Sequence, residues 1–480
     1  MQLFRLRFVI ALIALAVALA SLFRLEQLRA DLDIQNLKFG DTPVSLYRGS
    51  AETDLLVLVT HGFAGSRQMM EAISLTLARA GHTVVAFDFA GHGRHPGMLS
   101  RDVTRITGTT EDLVQQTLDV AAQTRARTGL KRVAFVGHSM ATDVVIRAAD
   151  RLDSVAGVVA ISMYSEAVQP QHPEKLLILS GAQEERLRAV ALEAVGQLGE
   201  AAEGVTLERD GISRRAAVAP WVGHVGVLWS STTLSETTDW FGRPASPVKS
   251  GGWIAALLAA LIVFFWPVSH LLPRGEKQAA LPLKRALIAV LAASGSAAAA
   301  TPLAGSALGV SGFGALALLL ITWGAVTLAV LRPPVSFRTT DALSAIVLLF
   351  WGIAVFAFAL DRYGAAFVPT GPRLGLMLFL LPATVIFGLA DRMLIAGRGI
   401  IGRALFRLPI LATVIALMFV QPQNMGMVFT VLPVLVLFFL VYGTMAHWAE
   451  ARSGPQGPAL ATGVILAWAL AASTPLFMAS

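Results

Sequence analysis

The chain has 480 residues, of which 55% are apolar and only 14% are charged, well below the roughly 25% charged that is usual in soluble globular domains. Its formal net charge is +7, yet it has no basic run of the kind that binds nucleic acid. The sequence contains no cysteine, which excludes disulfide frameworks and thiolate sites. This composition favours a membrane protein.

An apolar segment near the start of the chain covers residues 8–23 and follows Arg5 and Arg7. It fits a signal peptide cleaved after a small-x-small site that ends at Ala20, or an uncleaved anchor that ends at Arg24. We favour the anchor because the apolar run continues past Ala20. Both possibilities send the residues that follow across the membrane.

Two apolar runs, at residues 55–59 and 83–87, predict strands buried on both faces of a sheet. The first leads directly into His-Gly-Phe-Ala-Gly at residues 61–65, where small residues let the backbone approach a reacting carbonyl closely. The second leads into Asp-Phe-Ala-Gly-His-Gly-Arg at residues 88–94. Each strand therefore ends in a turn that can form part of a site.

A third apolar run, residues 132–136, is followed by Gly-His-Ser-Met-Ala and then by a helical stretch at 142–149. A strand, a sharp turn and a helix in this order form a nucleophile elbow, which holds a serine hydroxyl above the edge of the sheet. Ala141 stands where Gly-x-Ser-x-Gly has its second glycine, a departure of one methyl group. Ser139 is the predicted nucleophile.

The three segments, in this order and at this spacing, resemble the α/β-hydrolase superfamily, and the Asp-x-x-Gly-His-Gly stretch is most similar to its monoacylglycerol-lipase and serine-aminopeptidase-like branch. The resemblance covers approximately residues 35–245. It implies a mostly parallel sheet and an oxyanion hole formed by the backbone N–H groups of Phe63 and Met140. It further implies that His61, Asp88 and His92 order the surrounding turns.

The general base in this fold follows the last strand, far downstream of the nucleophile. Residues 216–221 are the predicted last strand, and Val-Gly-His-Val-Gly comes next, which makes His224 the predicted base. His172 is the competing histidine. It precedes a proline and the predicted strand 175–179, which places it on a connection.

The acid is open between three glutamates. The family usually places its aspartate three residues beyond the glycine that follows the strand at 176–179, and Glu184 stands there; a glutamate can orient and stabilise the imidazole in the same way. Glu185 is one residue further, and Glu166 follows the predicted strand 156–163. Glu184 and Glu185 could also serve only the N-terminus of the next predicted helix, 184–198.

About ten residues, 164–173, separate the two strands between which many lipases insert a helical cap. The sequence therefore predicts a minimal cap.

We expect a signal peptide or anchor at 1–30, an α/β-hydrolase domain at 31–245, a linker at 246–252 and a transmembrane domain at 253–480. The eight predicted spans of that domain are residues 253–272, 286–304, 308–331, 342–360, 374–390, 404–420, 426–446 and 458–478.

The positive charges between the predicted spans alternate in a way that indicates a topology. With the N-terminus inside, the basic residues of the inside loops are Arg274, Lys277, Lys284, Arg285, Arg332, Arg338, Arg392, Arg398, Arg403 and Arg452. The outside loop at 361–373, with Arg362 and Arg373, runs against the pattern. The distribution predicts a multi-pass protein of a bacterial-type inner membrane, with the hydrolase domain on the outer face.

These features predict a membrane-anchored serine hydrolase that cleaves an acyl ester, of a lipid or another amphiphile, without a metal or cofactor. An acyltransferase could use the same triad if a hydroxyl or amine replaced water. The other class is a transporter or channel with an accessory hydrolase-like domain. Against it, the middle of each predicted span lacks Asp, Glu, Lys and Arg, which ion-coupled carriers usually need at mid-depth.

Overall fold

The computed structural model describes residues 2–51, 54–100, 102, 106–276, 278–333 and 337–479. These residues form two compact units. The first, which we call the sheet unit, consists of Ala20–Ala256 and Arg362–Ala366. The second, which we call the helical unit, contains the other described residues.

The sheet unit is built on one sheet, for which the described residues supply nine strands. The strands are Asp33–Phe39 (β1), Thr42–Arg48 (β2), Leu55–Thr60 (β3), Thr83–Phe87 (β4), Arg132–His138 (β5), Val155–Ile161 (β6), Lys175–Gly181 (β7), Thr206–Arg209 (β8) and Ile212–Ala219 (β9). Their order is β1-β2-β4-β3-β5-β6-β7-β9-β8. Neighbours from β4 to β9 are parallel, whereas β1, β2 and β8 join in antiparallel fashion.

The central strands are buried on both faces because helices cover them, and this explains their continuous apolar runs. β3 and β4 are buried along their whole length. The predicted mostly parallel sheet is confirmed, and each predicted strand corresponds to an observed one. The last of them ends at Ala219, two residues earlier than expected.

The helices of the sheet unit follow α1 (Gln2–Gln27), whose C-terminal part belongs to this unit. They are α2 (Glu71–Arg79), α3 (Glu111–Thr128), α4 (Ala141–Ala149), α5 (Glu185–Gly196) and α6 (Ser231–Trp240). Short 3₁₀ segments cover Arg67–Met70 and Gly226–Trp229. The connection between β6 and β7, residues 162–174, contains no helix, which agrees with a minimal cap.

The helical unit continues in chain order. Its helices are α7 (Gly251–Ser269, whose first turn belongs to the sheet unit), α8 (Leu283–Ala300), α9 (Phe313–Leu331), α10 (Thr339–Leu349), α11 (Phe358–Tyr363), α12 (Pro372–Ile395), α13 (Ile400–Val420), α14 (Pro422–Met425), α15 (Val431–Ser453) and α16 (Gln456–Ser473). A π-helical stretch, Phe350–Ala357, joins α10 to α11.

Nine helices in the described part of the chain are long and apolar enough to cross a membrane. They are Arg5–Gln27, Gly251–Ser269, Leu283–Leu303, Phe313–Leu331, Thr339–Tyr363, Pro372–Ile395, Ile400–Val420, Val428–Ser453 and Gln456–Ser473. They match the N-terminal apolar segment and the eight predicted spans. The helices are therefore compatible with a multi-pass membrane protein.

Small residues allow α12 and α16 to approach closely. A Cβ on Gly388 would lie 2.8 Å from the carbonyl oxygen of Ala459, and one on Gly463 would lie 2.5 Å from the Cα of Val385. Such contacts are typical of membrane helices, whose association depends on close packing. The glycines therefore set the spacing of this helix pair.

Candidate active site

Ser139 lies in the turn between β5, which ends at His138, and α4, which begins at Ala141. Its φ of 53° lies in the left-handed region, a strained conformation for a residue with a side chain. Local hydrogen bonds hold it there. The Ser139 N–H donates to the Ile161 carbonyl at 2.8 Å, and the Thr142 hydroxyl donates to the Ser139 carbonyl at 2.6 Å.

The small residues around this turn have a steric reason. A Cβ on Gly137 would lie 2.7 Å from the carbonyl oxygen of Ala141, at the start of α4. A Cβ on Gly62 would lie 3.0 Å from that of Ser139, so only glycine lets the turn after β3 come this close to the serine. Ala141, in contrast, is fully buried, and the fold accommodates its methyl group.

The structure brings three of the predicted residues into one chain of hydrogen bonds. The distance from His224 Nε2 to Ser139 Oγ is 2.9 Å, and that from His224 Nδ1 to Glu184 Oε1 is 2.6 Å. An ionised carboxylate only accepts hydrogen bonds, so Nδ1–H donates to Glu184 and Nε2 is left to accept the serine proton. The three side chains follow the carboxyl ends of β5, β7 and β9.

Glu184 is buried, with 9% of its surface exposed, and its second oxygen has two further donors. Gly181 N–H donates to Oε2 at 2.6 Å, and the Ser162 hydroxyl at 2.8 Å. Burial raises the pKa of the Glu184 carboxyl, but the hydrogen bonds from His224, Gly181 and Ser162 outweigh it and hold this pKa below its usual range. The group is therefore a carboxylate at neutral pH.

The alternative residues occupy other surroundings. Glu185 is the first residue of α5 and is exposed, as is Glu166 on the connection after β6. His172 lies on the same connection, also exposed, with Nδ1 at 3.7 Å from Asp150 Oδ1. The contacts of His224 go instead to Ser139 and Glu184.

His61 orders the turn after β4. The Phe89 N–H donates to its Nε2 at 3.1 Å, so the proton is on Nδ1, which donates to the Gly62 carbonyl at 2.8 Å. Burial lowers the pKa of His61, which keeps the ring neutral. The ring therefore connects the two turns that lie beside the nucleophile.

Asp88 and His92 also bond to the backbone of these turns. Asp88 is fully buried and accepts from the backbone N–H groups of Arg67 at 2.9 Å and Arg94 at 3.0 Å. His92 Nδ1 lies 2.9 Å from the Ala90 carbonyl oxygen. These contacts order the loops, which is the role that the resemblance implies for both residues.

Phe63 and Met140 belong to the two turns that meet at Ser139. Met140 follows the serine directly and starts α4 as its N-cap residue. Phe63 belongs to a turn closed by a 3.0 Å hydrogen bond from the Gly65 N–H to the Gly62 carbonyl, and Gly62 abuts the serine. Both side chains are partly exposed.

His138 is a neighbour of the site that the sequence reasoning did not single out. Its Nε2–H donates to the backbone carbonyl of His224 at 2.8 Å, and the two rings lie 5.0 Å apart between centroids. Burial lowers the pKa of His138 to about 4, so the ring is neutral near pH 7. The signal in the sequence was its place directly before Ser139, at the end of a buried strand.

The carboxyl edge of the sheet carries an exposed apolar rim, which we define as Tyr164, Trp221 and Val225. Their exposed fractions are 68%, 90% and 48%. The Tyr164 N–H donates at 3.0 Å to the Thr142 hydroxyl, which in turn donates to the Ser139 carbonyl, and Val225 follows His224. These exposed side chains thus follow β6 and β9, two of the strands at the carboxyl edge of the sheet.

A comparison with known protein families finds a match for part of the sheet unit. Residues 56–192 match the family model for the alpha/beta hydrolase fold. This match covers the nucleophile turn and, together with the order of the strands, shows that the sheet unit has the alpha/beta hydrolase fold. None of the curated protein sequences compared with the chain matches it.

Three solved structures that are similar to this chain cover between 44% and 50% of it. A predicted CIB-like hydrolase from Thermoplasma acidophilum has 18% identity and a TM-score of 0.35 over 44% of this chain and 97% of its own. A membrane phospholipase A, described as a bacterial virulence factor, has 16% identity and a TM-score of 0.32, over 50% of this chain and 98% of its own. A soluble variant of monoglyceride lipase from Saccharomyces cerevisiae has 13% identity and a TM-score of 0.32, over 45% of this chain and 96% of its own.

Proposed function

We propose that this chain is a membrane-anchored serine hydrolase that cleaves an acyl ester with Ser139, His224 and Glu184 as its triad. The α/β-hydrolase domain supports a hydrolase as the general class. The observation that carries the finer proposal is the continuous path of hydrogen bonds from the serine hydroxyl through the imidazole to a buried carboxylate. A strained serine that contacts a base, itself oriented by an acid, is the arrangement that nucleophilic catalysis requires.

In the proposed reaction, Ser139 Oγ attacks the ester carbonyl while His224 Nε2 takes the hydroxyl proton. The Glu184 carboxylate stabilises the imidazolium, and the N–H groups of Phe63 and Met140 bind the oxyanion. The tetrahedral intermediate expels the alcohol, which leaves with the proton from His224. Water, activated by the same imidazole, then releases the acid from the acyl-enzyme and restores the serine.

We propose a lipid or another amphiphile as the class of substrate. Two features of the chain support it: the apolar rim beside the site, and the nine described helices that could cross a membrane. An acyl chain that leaves water to contact exposed aromatic side chains gains about 25 cal/mol for each Å² of apolar surface that is buried. A short soluble ester gains little from the same rim.

We further propose a bacterial-type inner membrane as the location, with the hydrolase domain on its outer face. The arginine and lysine residues of the predicted inside loops support this orientation.

The direct test replaces the nucleophile. Ser139→Ala in the full-length protein should abolish labelling by a fluorophosphonate and lower ester turnover by on the order of a thousandfold or more, since the bond-forming atom is removed. Ser154→Ala, an exposed serine before β6, is the matched control and should keep both. Retained turnover in Ser139→Ala would exclude the proposed mechanism.

A further inference from the structure

The segment Arg362–Ala366 belongs to the sheet unit although the rest of that unit ends at Ala256. In sequence, it begins with the last two residues of the candidate span Thr339–Tyr363 and ends before the candidate span Pro372–Ile395. A five-residue segment so distant in sequence joins a domain only through specific contacts. Those contacts lead to a loop of the candidate active site.

Two sets of hydrogen bonds hold this segment. Its last residue donates from the Ala366 N–H to the Ser66 hydroxyl oxygen at 2.9 Å. Its first two residues bind Glu26, near the end of α1: the Tyr363 hydroxyl at 2.7 Å and the Arg362 guanidinium at 3.0 Å. Tyr363 and Ala366 are buried in these contacts.

Ser66 connects the segment to the turn that carries Phe63. It stands at the N-cap of the 3₁₀ segment Arg67–Met70 but makes no side-chain capping bond there, although serine is a preferred capping residue. Its hydroxyl instead accepts from Ala366. Ser66 is 2% exposed, so solvent does not readily replace this donor.

The turn between β3 and Ser66 depends on such support. Ala64 has a φ of 57°, in the left-handed region, and a hydrogen bond from Gly65 to Gly62 closes the turn. A strained residue of this kind persists only when its surroundings hold it. An oxyanion donor must also be fixed in place before the reaction, because its contribution falls when it has to reorganise.

We infer that Arg362–Ala366 is a positioning element of the active site, which holds the turn of Phe63 where its N–H can bind the oxyanion. This inference rests on the proposed serine hydrolase function. It means that residues 31–245 alone lack part of what the reaction requires. The segment acts through the turn and does not itself touch the reacting atoms.

The test compares variants of the full-length protein on a short, water-soluble ester. Ser66→Ala removes the acceptor and should lower kcat about tenfold, less than the roughly hundredfold or greater loss that follows deletion of an oxyanion donor, with KM changed less than about twofold. Ser66→Thr keeps a hydroxyl and should restore most of kcat. Ser74→Ala is the matched control, since this buried hydroxyl of α2 donates at 3.0 Å to the carbonyl of Met70, the residue before α2, and kcat should not change.

Two further variants test the same segment at other positions, in case Ser66→Ala disturbs folding. Tyr363→Phe removes one hydroxyl at the other end of the segment and should lower kcat about threefold. Ala366→Pro removes the N–H donor of the bond to Ser66. The double variant Ser66→Ala/Ala366→Pro should lower kcat no more than the more damaging of the two single variants, because both remove the same hydrogen bond.

The outcomes separate the two proposals. If the wild-type protein turns over ester and is labelled at Ser139, an unchanged kcat in both Ser66→Ala and Tyr363→Phe overturns the positioning role alone. So does a rise in KM at constant kcat, or a loss of kcat that Ser66→Thr does not restore. A wild-type protein with neither turnover nor labelling overturns the proposed function, and the positioning role with it.

Discussion

Among single residues, Glu184 and Glu185 show how strongly position decides chemistry. They are neighbours of the same type, yet Glu184 is buried with donors on both oxygens whereas Glu185 is an exposed residue at the start of α5. The hydrogen bonds from His224, Gly181 and Ser162 offset the burial that raises the pKa of Glu184. This arrangement suits a carboxylate that orients an imidazole.

Glu184→Gln should lower kcat by about a hundred- to a thousandfold, a smaller loss than that of Ser139→Ala. The amide can present an N–H to His224 Nδ1, which favours the imidazole tautomer that cannot accept the serine proton. The measurement is ester turnover beside fluorophosphonate labelling. Glu185→Gln and Glu166→Gln are the controls and should stay within about twofold; a damaging Glu166→Gln with an active Glu184→Gln would contradict the assignment of the acid.

At the level of elements, the sequence predicted those parts whose patterns are local. The runs of β3, β4 and β5 are continuous and apolar because both faces are buried, and the elbow has a fixed spacing from its strand. β1, β2 and β8 were not predicted. The residues of β1 and β8 are polar or only partly buried, and β2 is mostly buried but has no continuous apolar run, because Thr42, Pro43, Ser45 and Arg48 interrupt it.

Other features have no local signal at all. The hydrogen bond of Ser66 comes from Ala366, 300 positions away in the sequence, and from a backbone N–H that no side-chain pattern reveals. His138 bonds to a backbone carbonyl in the same way. The three candidate acids could not be separated by spacing, because the distinction lies in burial and in the donors that folding brings to Glu184.

The turns after β6 and β9, which carry the apolar rim, should decide which esters are processed. Trp221→Ala combined with Tyr164→Ala should lower turnover of a long-chain ester in liposomes about tenfold, because the exposed rings contribute only when an apolar chain or surface covers them. Turnover of a short soluble ester should remain within about twofold. Both rates are to be measured on the same full-length preparation.

The matched control for this rim is Val205→Ala, which removes an exposed apolar side chain, 46% accessible, beside the edge strand β8. It should leave both rates unchanged. Equal losses on both esters in the double variant would indicate damage to the site itself and would contradict an apolar rim that selects the substrate.

At the scale of the whole molecule, the buried charged side chains of the candidate membrane helices occur in pairs. Within the helical unit, Arg407 pairs with both carboxylate oxygens of Asp391, at 2.9 and 2.6 Å, and Arg392 lies 3.4 Å from Glu450. Buried charges in such helices are costly unless they are paired, and these four form two pairs of opposite charge. Most of the other basic residues between the predicted spans lie in the predicted inside loops, whereas Arg362 and Arg373 lie in the loop at 361–373. This distribution predicts the orientation of the chain.

The absence of cysteine makes this orientation directly measurable, since each introduced thiol is unique in the chain. Asp210→Cys, in the exposed turn between β8 and β9, should react with a membrane-impermeant maleimide in intact cells, because we place the hydrolase domain outside. Ala279→Cys, exposed in a predicted inside loop, should react only after permeabilisation. The cysteine-free parent is the control for background labelling. Reaction of Ala279→Cys in intact cells, with Asp210→Cys protected until permeabilisation, would show that the topology is inverted and that the hydrolase domain works on the cytoplasmic side.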